Sequence, residues 1–163
     1  MAETDTQTSV AGKHLTFHLG EELYGIEILK VQEIIGMMNV TRVPRTPDFV
    51  RGVINLRGKV IPVVDLRLKF GMETVLDTER TCIIVVQVAG AESRVTMGVI
   101  VDEVSEVLEI QSGQIEPAPS FGATIDTTFI RAMGKVGQKV VILLDVDRVL
   151  STRELSAIEQ ASV

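Results

Sequence analysis

The chain has 163 residues, 45% of them apolar, and a formal charge of −6. This length suits one domain or two small ones sharing a core, and the acidic balance disfavours bulk attraction to nucleic acid or an anionic membrane surface. No run of 18 apolar residues occurs, so no transmembrane helix is expected, and the single Cys excludes an internal disulfide and fits a reducing cytoplasm.

Residues 1–13 are polar and acidic and read as a disordered tail. From His14 to Leu19 apolar and polar residues alternate. Leu15, Phe17 and Leu19 share one face, and His14, Thr16 and His18 share a solvated one. Gly20 to Glu22 supplies a turn, and Leu23 to Ile28 a returning strand. Leu29 to Ile35 fits a helical turn or more strand, with its Val and Ile content favouring strand. Val40 to Val43 reads as another short strand. Thr46-Pro47 has the chemistry of an N-cap followed by Pro at the first helical position, which predicts a short helix ending at Gly52.

Asn55-Leu56-Arg57-Gly58 is a turn by composition. Lys59 to Val64 is a strand with apolar residues on both faces, and Pro62 places it at an edge or a bulge. Asp65 then caps a helical turn, Leu66 to Phe70, closed by Gly71.

The same order returns further on. Cys82 to Val88 and Arg94 to Val101 read as strands around a turn at 89–93. Gly25-Ile26-Glu27-Ile28 matches Gly98-Val99-Ile100-Val101, and Val31 to Ile34 matches Val104 to Val107, all 73 positions apart. Lys59-Val60-Ile61 and Asp65 match Lys139-Val140-Val141 and Asp145, 80 apart. Gly113 to Thr128 reads as a loop. Ser151 to Glu154 fits a capping box, with a closing helix from Thr152 to about Gln160. The predicted fold is mainly β: two small five-stranded SH3-like or OB-like barrels, arisen by internal duplication and packed around a shared core, with short helices and a C-terminal helix. The approximate halves are 14–80 and 81–151, followed by a helix and tail at 152–163. Whether strands are exchanged between barrels is left open.

The chemistry is sparse. His14 and His18 on one strand stand about 13 Å apart at ~3.3 Å per residue, too far for a metal pair. Cys82 opens an apolar strand and reads as packing. There is no phosphate loop and no serine elbow. Asp65 and Asp145 occupy equivalent places; capping explains both, and the competing reading is a catalytic pair in a cleft. Asp102, Glu103 and Glu106 look like a solvated acidic edge. Arg51 and Arg57 flank the predicted helix and turn. The tight loop would hold Arg57 out, either to clamp a partner's carboxylate or carbonyl with two parallel hydrogen bonds or as an ordinary surface arginine. No catalytic residue, metal site or cofactor is predicted.

One combination of residues is specific: Tyr24 to Ile28 with Lys30 to Ile34, then Pro47, Phe49, Gly52, the 55–58 turn, Pro62 and Asp65-Leu66-Arg67, then Gly98 to Asp102 and Gln114 to Pro119. In these the chain resembles the CheW family of bacterial chemotaxis coupling proteins, from about Leu15 to Leu150. The resemblance implies two five-stranded barrels and no catalytic activity. It implies an adaptor between the regulatory domain of the histidine kinase CheA, itself CheW-like, and the cytoplasmic tips of chemoreceptors (the methyl-accepting chemotaxis proteins). Such adaptors promote array assembly; this one would be cytoplasmic, recruited to receptor clusters at the inner membrane, with no nucleic acid and no membrane insertion. Carried over by position, Val31, Glu33, Arg57, Gly58, Gly98 and Val104 should face the receptor. Arg42, Val43, Phe49, Arg51 and Gly52 should face the kinase. The alternative is a coupler of the same kind in a pili or developmental kinase pathway.

Overall fold

The structure, a computed structural model, describes residues 10–90, 93–119, 128–150 and 154. Its first half runs β1 (Gly12–Leu19), β2 (Glu22–Glu27), a 3-10 turn (Ile28–Lys30), β3 (Val31–Gly36), β4 (Val50–Leu56), β5 (Lys59–Asp65) and α1 (Leu66–Lys69). The second runs β6 (Cys82–Ala89), β7 (Arg94–Val101), β8 (Glu103–Ile110), a 3-10 turn (Ser112–Gln114), β9 (Ile115–Glu116), β10 (Ile130–Val136), β11 (Lys139–Leu144) and α2 (Val146–Val149).

The strands form two sheets, in the orders β8-β1-β2-β11-β10-β9 and β3-β6-β7-β5-β4. Strands are therefore exchanged. The first two strands of each half complete the sheet built by the later strands of the other. The registers repeat as well. Leu143 lies opposite Gly25 in the parallel β11–β2 ladder, and Val63 lies opposite Gly98 in β5–β7. Phe17↔Val104 and Leu15↔Val107 flank a β-bulge in β1–β8, and Val86↔Val31 and Ile84↔Ile34 flank its counterpart in β6–β3. Thr16 spans the first bulge: its hydroxyl donates to the Glu106 carbonyl at 2.6 Å and accepts from the Glu106 N–H at 3.1 Å. The backbone groups left without ladder partners there are thus satisfied.

Each sheet curls around its own apolar cluster. Ile54, Ile61, Val63, Ile83, Val85 and Ile100 fill one barrel, and Ile110, Ile115, Ala132, Val141 and Leu143 the other. A larger cluster between them takes side chains from β1, β2, β5, β6, β7 and both helices. An aromatic column crosses it, Phe17–Tyr24–Phe70–Phe129, with ring centroids 4.8–5.8 Å apart. The fold is mainly β with short helices, as the sequence predicts.

Several local expectations are corrected. No helix follows Pro47: 50–56 is strand, and the Thr46 hydroxyl donates to Val43 O instead of capping. Gly52 sits in β4 beside a register shift, at φ +145. β5 is not a sheet edge, because it lies between β7 and β4, and its register with β4 shifts between Val63 and Val64, one pair beyond Pro62. Val53, opposite Pro62, spends both backbone groups on Thr41, and the β7 ladder starts only at Val63, so the missing N–H has no bond to make. In place of a strand at 40–43 there is a single bridge, Thr41–Val53. The histidine face of β1 is not solvated: His14 is 1% exposed and Thr16 fully buried, because that face points into a barrel. β1 also begins two residues before His14, and Val10 is buried. Residues 1–9 of the predicted tail, and the predicted C-terminal helix from Thr152 apart from Glu154, lie outside the described residues. Among the described residues, no helix is long and apolar enough to cross a membrane.

Candidate functional site

The β4–β5 hairpin closes with two residues, Arg57 at φ +52 and Gly58 at φ +88. Positive φ at both positions defines a type I′ turn, whose twist matches the flanking strands. Asn55 Oδ1 accepts the Gly58 N–H at 2.8 Å and locks it. Arg57 is thereby pushed outward. Its Nη1 donates to both carboxylate oxygens of Glu33 on β3, at 2.8 and 2.9 Å, while 70% of the side chain stays exposed. Arg57 is a surface arginine whose guanidinium is paired with Glu33 of the same chain.

Of the predicted receptor set, the structure joins Glu33, Arg57 and Gly58 directly. Val31 and Val104 lie half-buried against the central cluster, at matching places in the two halves. Gly98 is buried and offers no surface. A Cβ there would lie 2.6 Å from Ile83 Cγ2, so its contribution is close packing of β6 on β7.

The predicted kinase set divides in the same way. Arg42 and Val43 are accessible and line a shallow depression with Pro44, Arg45 and Asp48. Phe49 is half-buried, with Lys69 Nζ 4.9 Å above its ring. Arg51 is occupied within the fold. It donates to Asp77 at 3.1 and 3.2 Å and to Asp65 at 3.2 Å, tying the 72–81 segment to the cap of α1. Those hydrogen bonds, Asp77's first, raise its already high pKa. Gly52 is buried, and a Cβ would collide with the carbonyl of Thr41. Gly52 and Arg51 therefore serve the local fold and present little surface.

Sequence reasoning missed the exposed apolar residues. Ile34 and Val107 match across the repeat, as do Val60 and Val140, and all four stand in solvent. The strand around Val60 reads as buried on both faces; in fact its first two residues project beyond the shared core. The repeat offsets were the available signal.

The carboxylates are structural. Asp65 Oδ1 accepts from Arg67 N at 3.0 Å and Asp145 Oδ1 from Asp147 N at 3.1 Å, so each caps its own helix. Asp102 is not a solvated edge: it accepts from Arg67 Nε at 2.7 Å, Arg67 Nη2 at 2.6 Å and Gly20 N at 2.7 Å. Burial pushes its pKa up, but these bonds and the Arg67 charge outweigh burial and hold it below the usual carboxylate range. A carboxylate so engaged is a poor base. No group of three or more His, Cys, Asp or Glu side chains able to hold a metal occurs among the described residues.

The class of protein follows from the fold: a strand-exchanged pair of β barrels with apolar residues exposed at matched strand positions. The model of the CheW-like domain matches residues 13–154, and the chain belongs to the CheW family. It is 42% identical to the chemotaxis protein CheW of Klebsiella aerogenes, over 99% of this chain and 98% of that one. It is 36% identical to the CheW of Rhizobium meliloti, over 90% and 97%. The crystal structure of the scaffolding protein TtCheW from Thermoanaerobacter tengcongensis superposes with a TM-score of 0.77 at 37% identity, covering 89% of this chain and 96% of that one.

Proposed function

We propose that the chain is a non-catalytic adaptor of the bacterial cytoplasm that couples the histidine kinase CheA to the cytoplasmic tips of chemoreceptors. The observation that carries this is the Arg57 tip. A type I′ turn with a positive-φ arginine, oriented by Glu33 and left largely in solvent, is an unusual arrangement to maintain for a surface residue with no partner. A guanidinium held in that way can donate to a receptor carbonyl or carboxylate through its remaining N–H groups. The receptor face then consists of Glu33, Arg57 and Gly58 with Val31 and Val104. The kinase face consists of Arg42, Val43 and the accessible part of Phe49. The names of the relatives favour chemotaxis over another kinase pathway.

Arg57→Ala tests the reading. Binding to a purified receptor signalling fragment should weaken by roughly tenfold or more, the order of magnitude for losing one oriented charge-assisted contact. Thermal stability should hardly change, because an exposed ion pair contributes little. Unchanged receptor binding and kinase activation would remove Arg57 from the interface.

A further inference from the structure

The backbone ladders that join the halves do not distinguish one half from the other. Val63 meets Gly98, and Leu143 meets Gly25 in the equivalent register. A first half meeting another first half would also find a glycine opposite Val63. Among the ion pairs that cross between the halves, two stand at corresponding places in the repeat and do distinguish them.

In one, Arg67 on α1 donates to Asp102 at 2.6 and 2.7 Å, and Asp102 also accepts the N–H of Gly20 in the β1–β2 turn. In the other, Lys30 donates to Asp147 on α2 at 2.9 Å, and Asp147 accepts the N–H of Ala89 at the end of β6. Arg67 and Asp147 are equivalent in the repeat. Asp102 and Lys30 both lie at the junction between the second and third strands of their halves. The architecture is the same and the charges are reversed: cation on α1 with anion at the junction, then anion on α2 with cation at the junction.

We infer that this reversal selects the partner of each half, accepting the opposite half and rejecting its own kind in a second copy of the chain. Like-with-like pairing would set Arg67 against Lys30 in one seam and Asp147 against Asp102 in the other. The first of these would also leave the Gly20 N–H without its carboxylate. Specificity of this kind rests on the repulsion built into the wrong pairing as much as on attraction in the right one. The inference concerns assembly of the fold and is independent of the partners under Proposed function.

Swapping one lock tests it. Arg67→Asp with Asp102→Arg keeps an ion pair at the same seam but gives both locks the same polarity, so like-with-like seams become attractive too. Lys30→Asp with Asp147→Lys does the same from the other side and serves if the first variant fails to fold. The fourfold variant restores opposite polarity. Each protein is unfolded in urea, refolded over a range of chain concentrations and sized by light scattering. The expected result is a concentration-dependent species of doubled mass for the double variants, with wild type and the fourfold variant monomeric after refolding. Double variants that refold only to monomer, or a fourfold variant that dimerises equally, would overturn the inference.

Discussion

At Gly52 the backbone holds φ +145 and passes so close to the Thr41 carbonyl that no side chain fits. Gly52→Ala combines a strained dihedral with a backbone collision and should cost about 3 kcal/mol, read as a drop in the urea midpoint. His14 carries a different liability. Nδ1 lies 3.0 Å from the Gly12 carbonyl, and Nε2 is buried without a protein partner. Burial, with a smaller contribution from Arg131, lowers its pKa below 6.5 despite the Gly12 bond. The unfolded chain therefore takes up a proton that the native chain refuses. Stability is at its full value above the unfolded pKa and falls as pH drops below about 6.5. Urea titrations at pH 7.5 and 5.5 should show this loss in wild type and a smaller one in His14→Leu. An unchanged difference between the two would exclude His14 as its source.

Among the elements, the two capped helices give the sharpest comparison. Asp145→Ala removes a cap and should cost about 1 kcal/mol. Asp65→Ala removes the same cap and also one of the partners of half-buried Arg51, so it should cost more, about 2 kcal/mol. Equal losses in urea denaturation would show that the Arg51 contact contributes nothing. These caps, the 55–58 turn and most strands were legible in the sequence because their signals are local: a carboxylate after an apolar run, or an Asn and Gly bracketing a tight reversal. Failures arose where a local signal met a distant constraint. Thr46-Pro47 has helix-start chemistry, yet the residues after it are drawn into β4 by pairing with β5 and Thr41. His14 and Thr16 alternate correctly but face a second core, which periodicity in one strand does not reveal. For the candidate site, the exposed Arg57 could be read from its turn. The burial of Gly98 and Gly52 could not, because it depends on strands brought together from elsewhere in the chain.

For the whole molecule, strand exchange removes independence. Neither sheet is complete without strands from both halves, and the central cluster draws on both. Unfolding should therefore be a single transition, with amides in the β4–β5 and β10–β11 hairpins opening together in hydrogen exchange under mild denaturant. Two separate transitions would contradict the shared core. The seam also makes stability sensitive to acid. Burial raises the pKa of Asp102 and of Asp147, but bonds from Arg67 and Lys30, and from the Gly20 and Ala89 N–H groups, outweigh it and leave both depressed. Their stabilisation is present above the unfolded value of 3.8 and is lost as pH falls through the lower folded values. Asp102→Asn should flatten the stability profile below about pH 4.

The adaptor reading requires one small chain to hold two larger proteins at once. Co-sedimentation with purified CheA and a receptor signalling fragment, read together with kinase phosphorylation, measures that directly. The account predicts that the chain pellets with the ternary assembly and raises kinase output above that of the kinase and receptor fragment alone. A chain that stays in the supernatant with both present and leaves the output unchanged would contradict it.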